Sequence, residues 1–389
     1  MRGTQSTAPS DPLIGKVIDN RYRILSLVAQ GGMGRVYQAE QAPLGRVVAL
    51  KVLDTGKTPE ADKEMRQRFI LEAAACARLN HPNTVRIFDY GKTWDDVLYI
   101  SMEYIHGRTL HHVIKQEAPL PLDRVIRILR QMCSSLREAH AAGLIHRDLK
   151  PSNVMLTRHG DEVDFVKVLD FGLVRQVMGD SELTQVDAVV GSPSYMSPEQ
   201  IRGERLDQRS DIYSLGVLMY TCIVGKTPFA AESPVKVMMA HLNSAPPPMA
   251  PVCPALTEVP MLEWVVRTCL EKEPVRRFAS VEELLKALRV AERQLRGEHP
   301  PAPVLENGKL MIGEEWTSSS SMSPMTAHSG SISRSSLPVP PPSESSVSSL
   351  ANKKTDRRLP ILAGATLLVG AFVGMLLLLG LWLLLRPGQ

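Results

Sequence analysis

The order of apolar and polar positions divides the chain into three unlike stretches. From about 21 to 296 the two kinds are mixed, with turn residues at regular intervals, as a folded domain requires. Within it, Arg21–Val28 alternates and predicts a short strand, and Tyr37–Ala39 opens a second. Val47–Leu53 is an apolar run broken only by Lys51, which predicts a buried strand carrying one interior lysine. In Phe69–Leu79, residues Glu72, Cys76 and Leu79 recur at i, i+4 and i+7, on one face of a helix. Phe165–Leu169 predicts another strand.

From about Gly297 the pattern is lost. Fifteen serines fall among the 32 residues Ser318–Ser349, beside the run Pro340-Pro341-Pro342. Such a stretch cannot bury enough apolar area to offset its ordering entropy, so 297–358 is expected to be a disordered linker. Leu359–Leu385 then gives 27 consecutive uncharged, mostly apolar residues. About 20 suffice to cross a hydrocarbon core of roughly 30 Å, which predicts one transmembrane helix. Lys353, Lys354, Arg357 and Arg358 precede it and only Arg386 follows, so the long N-terminal part is expected on the cytoplasmic side and 386–389 outside. Residues 1–20 show no apolar core of a signal peptide and are expected to be an N-terminal tail. Gly370 and Gly374 have the small-xxx-small spacing that lets two membrane helices pack, so a homodimer contact is open, as is a lone helix.

Composition narrows the function. Lys and Arg number 45 against 41 Asp and Glu, a formal charge of +4, and the signs are interspersed, so no nucleic-acid partner is expected. Cys76, Cys133, Cys222, Cys253 and Cys269 are few, odd in number and without a C-x-x-C pair. They are expected to be reduced core thiols in a cytosolic domain.

The chemistry lies in three places. Ala29-Gln30-Gly31-Gly32-Met33-Gly34-Arg35-Val36 sits between the first two strands. Glycines there let backbone N–H groups approach an anionic phosphate, although a plain glycine-rich turn reads the same way. Lys51 needs an anionic partner inside the fold, and phosphate oxygens with the carboxylate of Glu72 would supply it. About a hundred residues on, His146-Arg147-Asp148-Leu149-Lys150-Pro151-Ser152-Asn153 is followed by the strand Phe165–Leu169 and by Asp170-Phe171-Gly172. Two carboxylates and an asparagine on adjoining loops are what a divalent-metal phosphate site needs.

Together these motifs resemble those of a eukaryotic-type (Hanks-type) protein kinase, in its bacterial serine/threonine branch, over about Tyr22 to Leu288. Gly191-Ser192-Pro193 and Tyr195-Met196-Ser197-Pro198-Glu199-Gln200 add to the likeness. The resemblance implies an α+β, two-lobed kinase fold, with a small β-rich lobe at about 21–104 and a larger helical lobe at about 106–296. It implies ATP and Mg2+ as cofactors and protein serine or threonine hydroxyls as acceptors. Val28, Ala29, Gly31, Gly32, Met33, Gly34, Val36 and Ala49 would cover the nucleotide. Lys51, paired to Glu72, would hold the α- and β-phosphates. Met102 would back the adenine pocket, with the backbone of Glu103 and Ile105 along the adenine edge. Asp148 would be the base, Lys150 would neutralise the transferred phosphoryl, and Asn153 and Asp170 would hold magnesium. Glu199 with Arg277, and Asp211 beneath the catalytic loop, would support the site.

Departures from the pattern set the open questions. Ala29 replaces the first glycine of the lid, Ser192 a threonine, and Ser197 an alanine. Arg147 before Asp148 goes with control by a phosphate on the activation loop, where Thr184 is the favoured site and Ser181 the other. The reading implied is an autophosphorylating kinase of bacterial signal transduction held at the inner membrane. The alternative is a nucleotide-binding pseudokinase scaffold. Lys51, Asp148, Asn153 and Asp170 are all present, which favours the enzyme.

Overall fold

The computed structural model describes residues 11–31, 34–53, 59–93, 97–171, 193–300, 304–306 and 309–311. Within these, the N-terminal part is a six-stranded antiparallel sheet of order β1-β2-β3-β4-β6-β5. Its strands are β1 (Val17–Ile18), β2 (Tyr22–Gly31), β3 (Gly34–Gln41), β4 (Arg46–Leu53), β5 (Ile87–Lys92) and β6 (Leu98–Glu103). The alternation in β2 is the expected one, with Tyr22 and Ile24 buried and Arg23 and Leu25 exposed. Tyr22, Ile24, Tyr37, Ala39, Val48, Leu50, Val52 and Tyr99 form a core on one side of this sheet. Helix α1 (Pro59–Cys76) follows β4. It starts earlier and stops sooner than the apolar spacing predicts, yet Leu79, just past its end, is still buried.

The larger lobe is helical. It contains α2 (Leu110–Glu117), α3 (Leu122–Ala141), α4 (Pro198–Arg202), α5 (Gln208–Val224), α6 (Pro234–Asn243), α7 (Pro260–Cys269) and α8 (Val281–Leu295). Strands β7 (Gly107–Thr109), β8 (Val154–His159) and β9 (Glu162–Val168) form a small sheet beside them. Helix α5 is buried from Ser210 to Val224, which explains why its sequence has no polar face. One apolar cluster runs unbroken from Leu53, Phe69, Ala73 and Cys76 of the N-terminal lobe into Leu129, Leu136, Ile212 and Leu284 of the helical lobe. Leu149 and Phe171 belong to this cluster, so the segments 146–153 and 169–171 rest on a continuous packed floor.

Two expectations change. Residues 11–20 do not trail away from the domain: Asp11 accepts from Tyr37 at 3.1 Å, the Gly15 N–H donates to Ile24 O, and β1 pairs with β2. Disorder does not begin at Gly297 throughout, because β10 (Val304–Glu306) and β11 (Lys309–Met311) form an antiparallel pair. Leu305 packs against the main core, and that apolar anchor orders a piece of an otherwise polar linker. Of the five cysteines, all free, four are buried and Cys253 is half-buried. Among the described residues no helix is long and apolar enough to cross a membrane; 359–385, with the rest of the linker and 386–389, lies outside them.

Candidate active site

Strands β2, β3, β4 and β6 carry the candidate site residues of the N-terminal sheet. The β2–β3 turn has Ala29 paired with Val36 and Gly31 with Gly34. Gly34 is required by sterics: its φ is +135°, and a Cβ there would lie 2.2 Å from Val52 O on the next strand. A Cβ at Gly31 would meet nothing within 4 Å among the described residues. Ala29 is not among the residues with positive φ, so its methyl group fits the strand without strain. Val28 is exposed, whereas Val36 and Ala49 are half-buried along the cleft wall. Gly32, Met33, Thr184, Ser181 and Ser192 lie outside the described residues.

Lys51 stands opposite Val36 in the β3–β4 pair, and its Nζ lies 2.8 Å from Asp170 Oδ2. Glu72 is half-buried on α1; burial, with the nearby charges of Glu72 and Asp170, pushes the Cys76 thiol up to about 12. Burial works against the Asp170 carboxylate, but Lys51, His146 and Lys150 hold its pKa below the ordinary value. Behind it, Cys76, Thr84, Val85, Ile87, Ile100, Met102 and Phe171 close around a cavity of about 10 Å³, room for one water. Met102 is buried, as the back wall of a pocket must be.

The connection between the lobes is anchored by Glu103. Its Oε1 accepts from the Arg86 N–H at 2.8 Å and from Lys167 Nζ at 2.7 Å. Its own N–H donates to Arg86 O, so an adenine edge there would have to meet its carbonyl. Ile105 is half-buried against the main core.

The loop 146–153 is held from beneath. Asp211, 1% exposed, accepts from the His146 N–H at 2.8 Å, the Arg147 N–H at 2.9 Å and pairs with His140 Nε2 at 2.8 Å. Burial raises its pKa and these partners lower it, with the net shift downward, so it is a charged acceptor. The loop needs that support, because Arg147 has φ of +63° and Asp170 of +49°, conformations that non-glycine residues rarely adopt. Gln200 Nε2 donates to Arg147 O at 2.7 Å and fixes the next peptide, the one that leads into Asp148. Above this support, Lys150 Nζ lies 2.7 Å from Asp148 Oδ2. Asn153 Nδ2 donates to Asp148 O at 2.8 Å and Oδ2 at 3.1 Å. The Leu169 N–H donates to Asn153 O, which ties Asp170 to the loop.

Two roles emerge that sequence reasoning had missed. Ser197 and Gln200 cap α4 reciprocally, which gives the buried Ser197 hydroxyl its partner; the S-x-x-Q spacing was a readable sign. His140 carries no such sign, since only the fold brings it to Asp211. Arg277, fully buried, places all its N–H groups: on Glu199 at 2.7 and 2.9 Å and on the carbonyls of Arg209, Glu271 and Lys272.

The same donor set fits a magnesium nucleotide: a lysine for phosphate, a carboxylate of lowered pKa, an asparagine whose amide oxygen is not spent on Asp148, and Gly31 with open space beside it among the described residues. Residues 22–288 match the protein kinase domain family. The serine/threonine-protein kinase pkn3 of Myxococcus xanthus is 42% identical over 293 residues, covering 75% of this chain and 53% of that protein. PknA of Mycobacterium tuberculosis is 36% identical over 299 residues, covering 75% of this chain and 67% of that protein. The chain thus spans about half to two thirds of the length of these relatives. The crystal structure of the Mycobacterium tuberculosis PknI kinase domain double mutant C20A_R136A matches with a TM-score of 0.54 at 27% identity, over 72% of this chain and 98% of that one. The β-sheet lobe, the helical lobe and these matches agree: the chain belongs to the protein kinase family, among bacterial relatives named as serine/threonine kinases.

Proposed function

We propose that this chain is a serine/threonine protein kinase that moves the γ-phosphoryl of ATP to protein hydroxyls. The observation that carries the reading is the convergence of Lys51, Asp170, Asp148, Lys150 and Asn153 on one cleft from strands and loops up to 119 residues apart. Bound Mg2+ would neutralise the phosphate charge, and Asp170 and Asn153 are the residues that would hold it. Lys51 would exchange Asp170 for phosphate oxygens. Asp148 would orient the acceptor hydroxyl and take its proton as the new O–P bond forms and the bond to the ADP oxygen breaks. Lys150, already beside Asp148, would balance charge on the phosphoryl in transit. The family pattern Asp148-Leu149-Lys150-Pro151 and the relatives' names support serine and threonine as acceptors.

The scaffold alternative is separated by one assay. Full chain with γ-labelled ATP and Mg2+ should label itself and myelin basic protein, and Asp148→Asn should abolish both. Binding of ATP without transfer by the parent chain would favour the scaffold.

We further propose that 359–385 anchors the chain in an inner membrane, with the kinase domain cytoplasmic and Thr184 as an autophosphorylation site. The uncharged length and the flanking lysines and arginines support the anchor. Carbonate extraction of membranes should leave the full chain in the pellet and release a chain ending at 352; release of both would refute the anchor. Fragment mass spectra of parent and Asp148→Asn protein would assign Thr184, and an unmodified Thr184 in active protein would refute that site.

A further inference from the structure

One large cavity takes no part in phosphoryl transfer. It measures about 530 Å³ and lies between the loop that leads from α3 to His146 and the loop that joins α4 to α5. Leu144 and Ile145 line it from the first loop, Arg205 and Leu206 from the second, and His140 from the last turn of α3. That volume falls within the roughly 300–1,000 Å³ of ligand pockets. Leu144, Ile145 and Leu206 are each half-buried, so the wall offers apolar surface to an occupant. Arg205 is exposed and makes no ion pair among the described residues.

His140 gives the wall a polar point and a link to the reaction. Its side chain is 4% exposed, and Nε2 donates to the charged Asp211 carboxylate at 2.8 Å. With that proton on Nε2, the Nδ1 of a neutral ring is an acceptor. Nδ1 is buried and has no hydrogen-bond partner among the described residues. A buried acceptor left without a donor is costly, so an occupant that brings an N–H gains there. The same Asp211 oxygen accepts from the His146 N–H, and Ile145 immediately precedes His146. What fills the cavity therefore bears on the loop 146–153.

The chain carries a group that matches this wall. Trp316 is the only Phe, Trp or Tyr between Phe278 and Phe372, and Glu314 and Glu315 stand just before it. An indole covers apolar surface and has one N–H to donate, and the two carboxylates complement Arg205. The segment starts close by. Gln208, on the cavity wall, donates from Nε2 to Ala279 O at 2.8 Å, two residues ahead of α8. The cavity thus lies by the N-terminal end of α8, and β11, which ends at Met311, packs against that helix. Five residues carry the chain on to Trp316, a reach of about 17 Å against about 22 Å for all of α8. A tethered segment also binds at high effective concentration. We infer that Glu314-Glu315-Trp316 seats in this cavity, the indole N–H on His140 Nδ1 and the carboxylates at Arg205. Seated there, it steadies the loop 146–153 through His140 and Asp211.

The test reads chymotrypsin cleavage after Trp316 in the full chain in detergent, by fragment mass. Each rate is taken relative to a peptide of residues 309–320 with the same substitutions. Leu206→Asp should raise the relative rate about tenfold, and Arg205→Glu about threefold. Trp316→Phe keeps the ring and the cleavage site without the N–H, and should raise it about threefold. Joining Glu314→Arg and Glu315→Arg to Arg205→Glu should restore the parental rate. With γ-labelled ATP and myelin basic protein, kcat should fall about threefold in Arg205→Glu and recover in the charge-swapped chain, with the ATP KM unchanged. Equal relative rates in the parent and in the Leu206 and Arg205 variants overturn the seating. So does protection that fades on dilution, which places the segment on a second copy. Protection that responds while kcat does not overturns the link to the loop. If the parent transfers no label, the kinase reading falls, and the cleavage rates still decide the seating.

Discussion

The ammonium of Lys51 lies 2.8 Å from the carboxylate of Asp170, so two groups proposed to bind opposite halves of a magnesium nucleotide neutralise each other across the cleft. Their separation in sequence is 119 residues. A low-dielectric pair of this kind holds both charges ready without leaving either unpaired. Binding must then repartner both groups at once, Lys51 with phosphate and Asp170 with the cation.

Lys51→Met tests that exchange. The carboxylate of Asp170 loses its nearest cation, and its pKa should return upward. Phosphoryl transfer should fall by about a hundredfold or more, an electrostatic loss of the size seen when one transition-state donor is removed. The rise in Tm that Mg-ATP gives the parent chain should shrink in parallel. Unchanged transfer would remove Lys51 from the site.

Arg277 and Glu199 should not be equivalent on mutation. Glu199→Gln leaves a buried guanidinium that still meets three carbonyls, at a cost of about 3 kcal/mol. Arg277→Met strands the Glu199 charge and those three carbonyls together, at a cost of about 5 kcal/mol. Urea midpoints of the two variants decide the order.

Asp211 acts on the reaction through the backbone. One carboxylate serves three donors, and an amide oxygen in Asp211→Asn cannot replace both oxygens. The peptide of Arg147, held at φ of +63°, should relax and carry Asp148 with it. The expected outcome is kcat lowered at least about tenfold with the ATP KM little changed, read from initial rates over a range of ATP concentrations.

His241 gives the folded domain a pH window. Its pKa is lowered from 6.5 to about 4 by burial, with Lys272 contributing; Arg277 and Tyr213 also face the cluster. Between those values the unfolded chain takes up a proton that the folded chain refuses, so stability falls as pH falls from 6.5 to 4. The loss reaches about 3 kcal/mol. Urea midpoints across this range should be flatter for His241→Gln than for the parent, and equal slopes would refute the assignment.

How much was legible follows from the range of each interaction. The strands of the N-terminal lobe and the helix around Glu72 were readable because alternation and helical spacing are local. The ends of α1 were not, because Leu79 is buried by packing and not by helical pattern. The strand pair 304–306 with 309–311, ahead of the serine-rich stretch, had a local sign that was passed over: Asn307-Gly308 between Val304-Leu305 and Leu310-Met311 is a hairpin signature.

By itself the sequence determined the family, the two-lobed α+β plan and the residue types of a phosphoryl-transfer site. Glycines, a lysine, two carboxylates and an asparagine in that order are dictated by phosphate and metal chemistry, which acts on residue type. The tertiary structure decided which charges meet. Lys51 on Asp170 and Asp211 beneath His146 and Arg147 are contacts between segments far apart in the chain. So are the rings of His140 on Asp211 and of His241 on Tyr213. No local periodicity encodes such pairs, because they depend on how one shared core brings distant segments within hydrogen-bond reach.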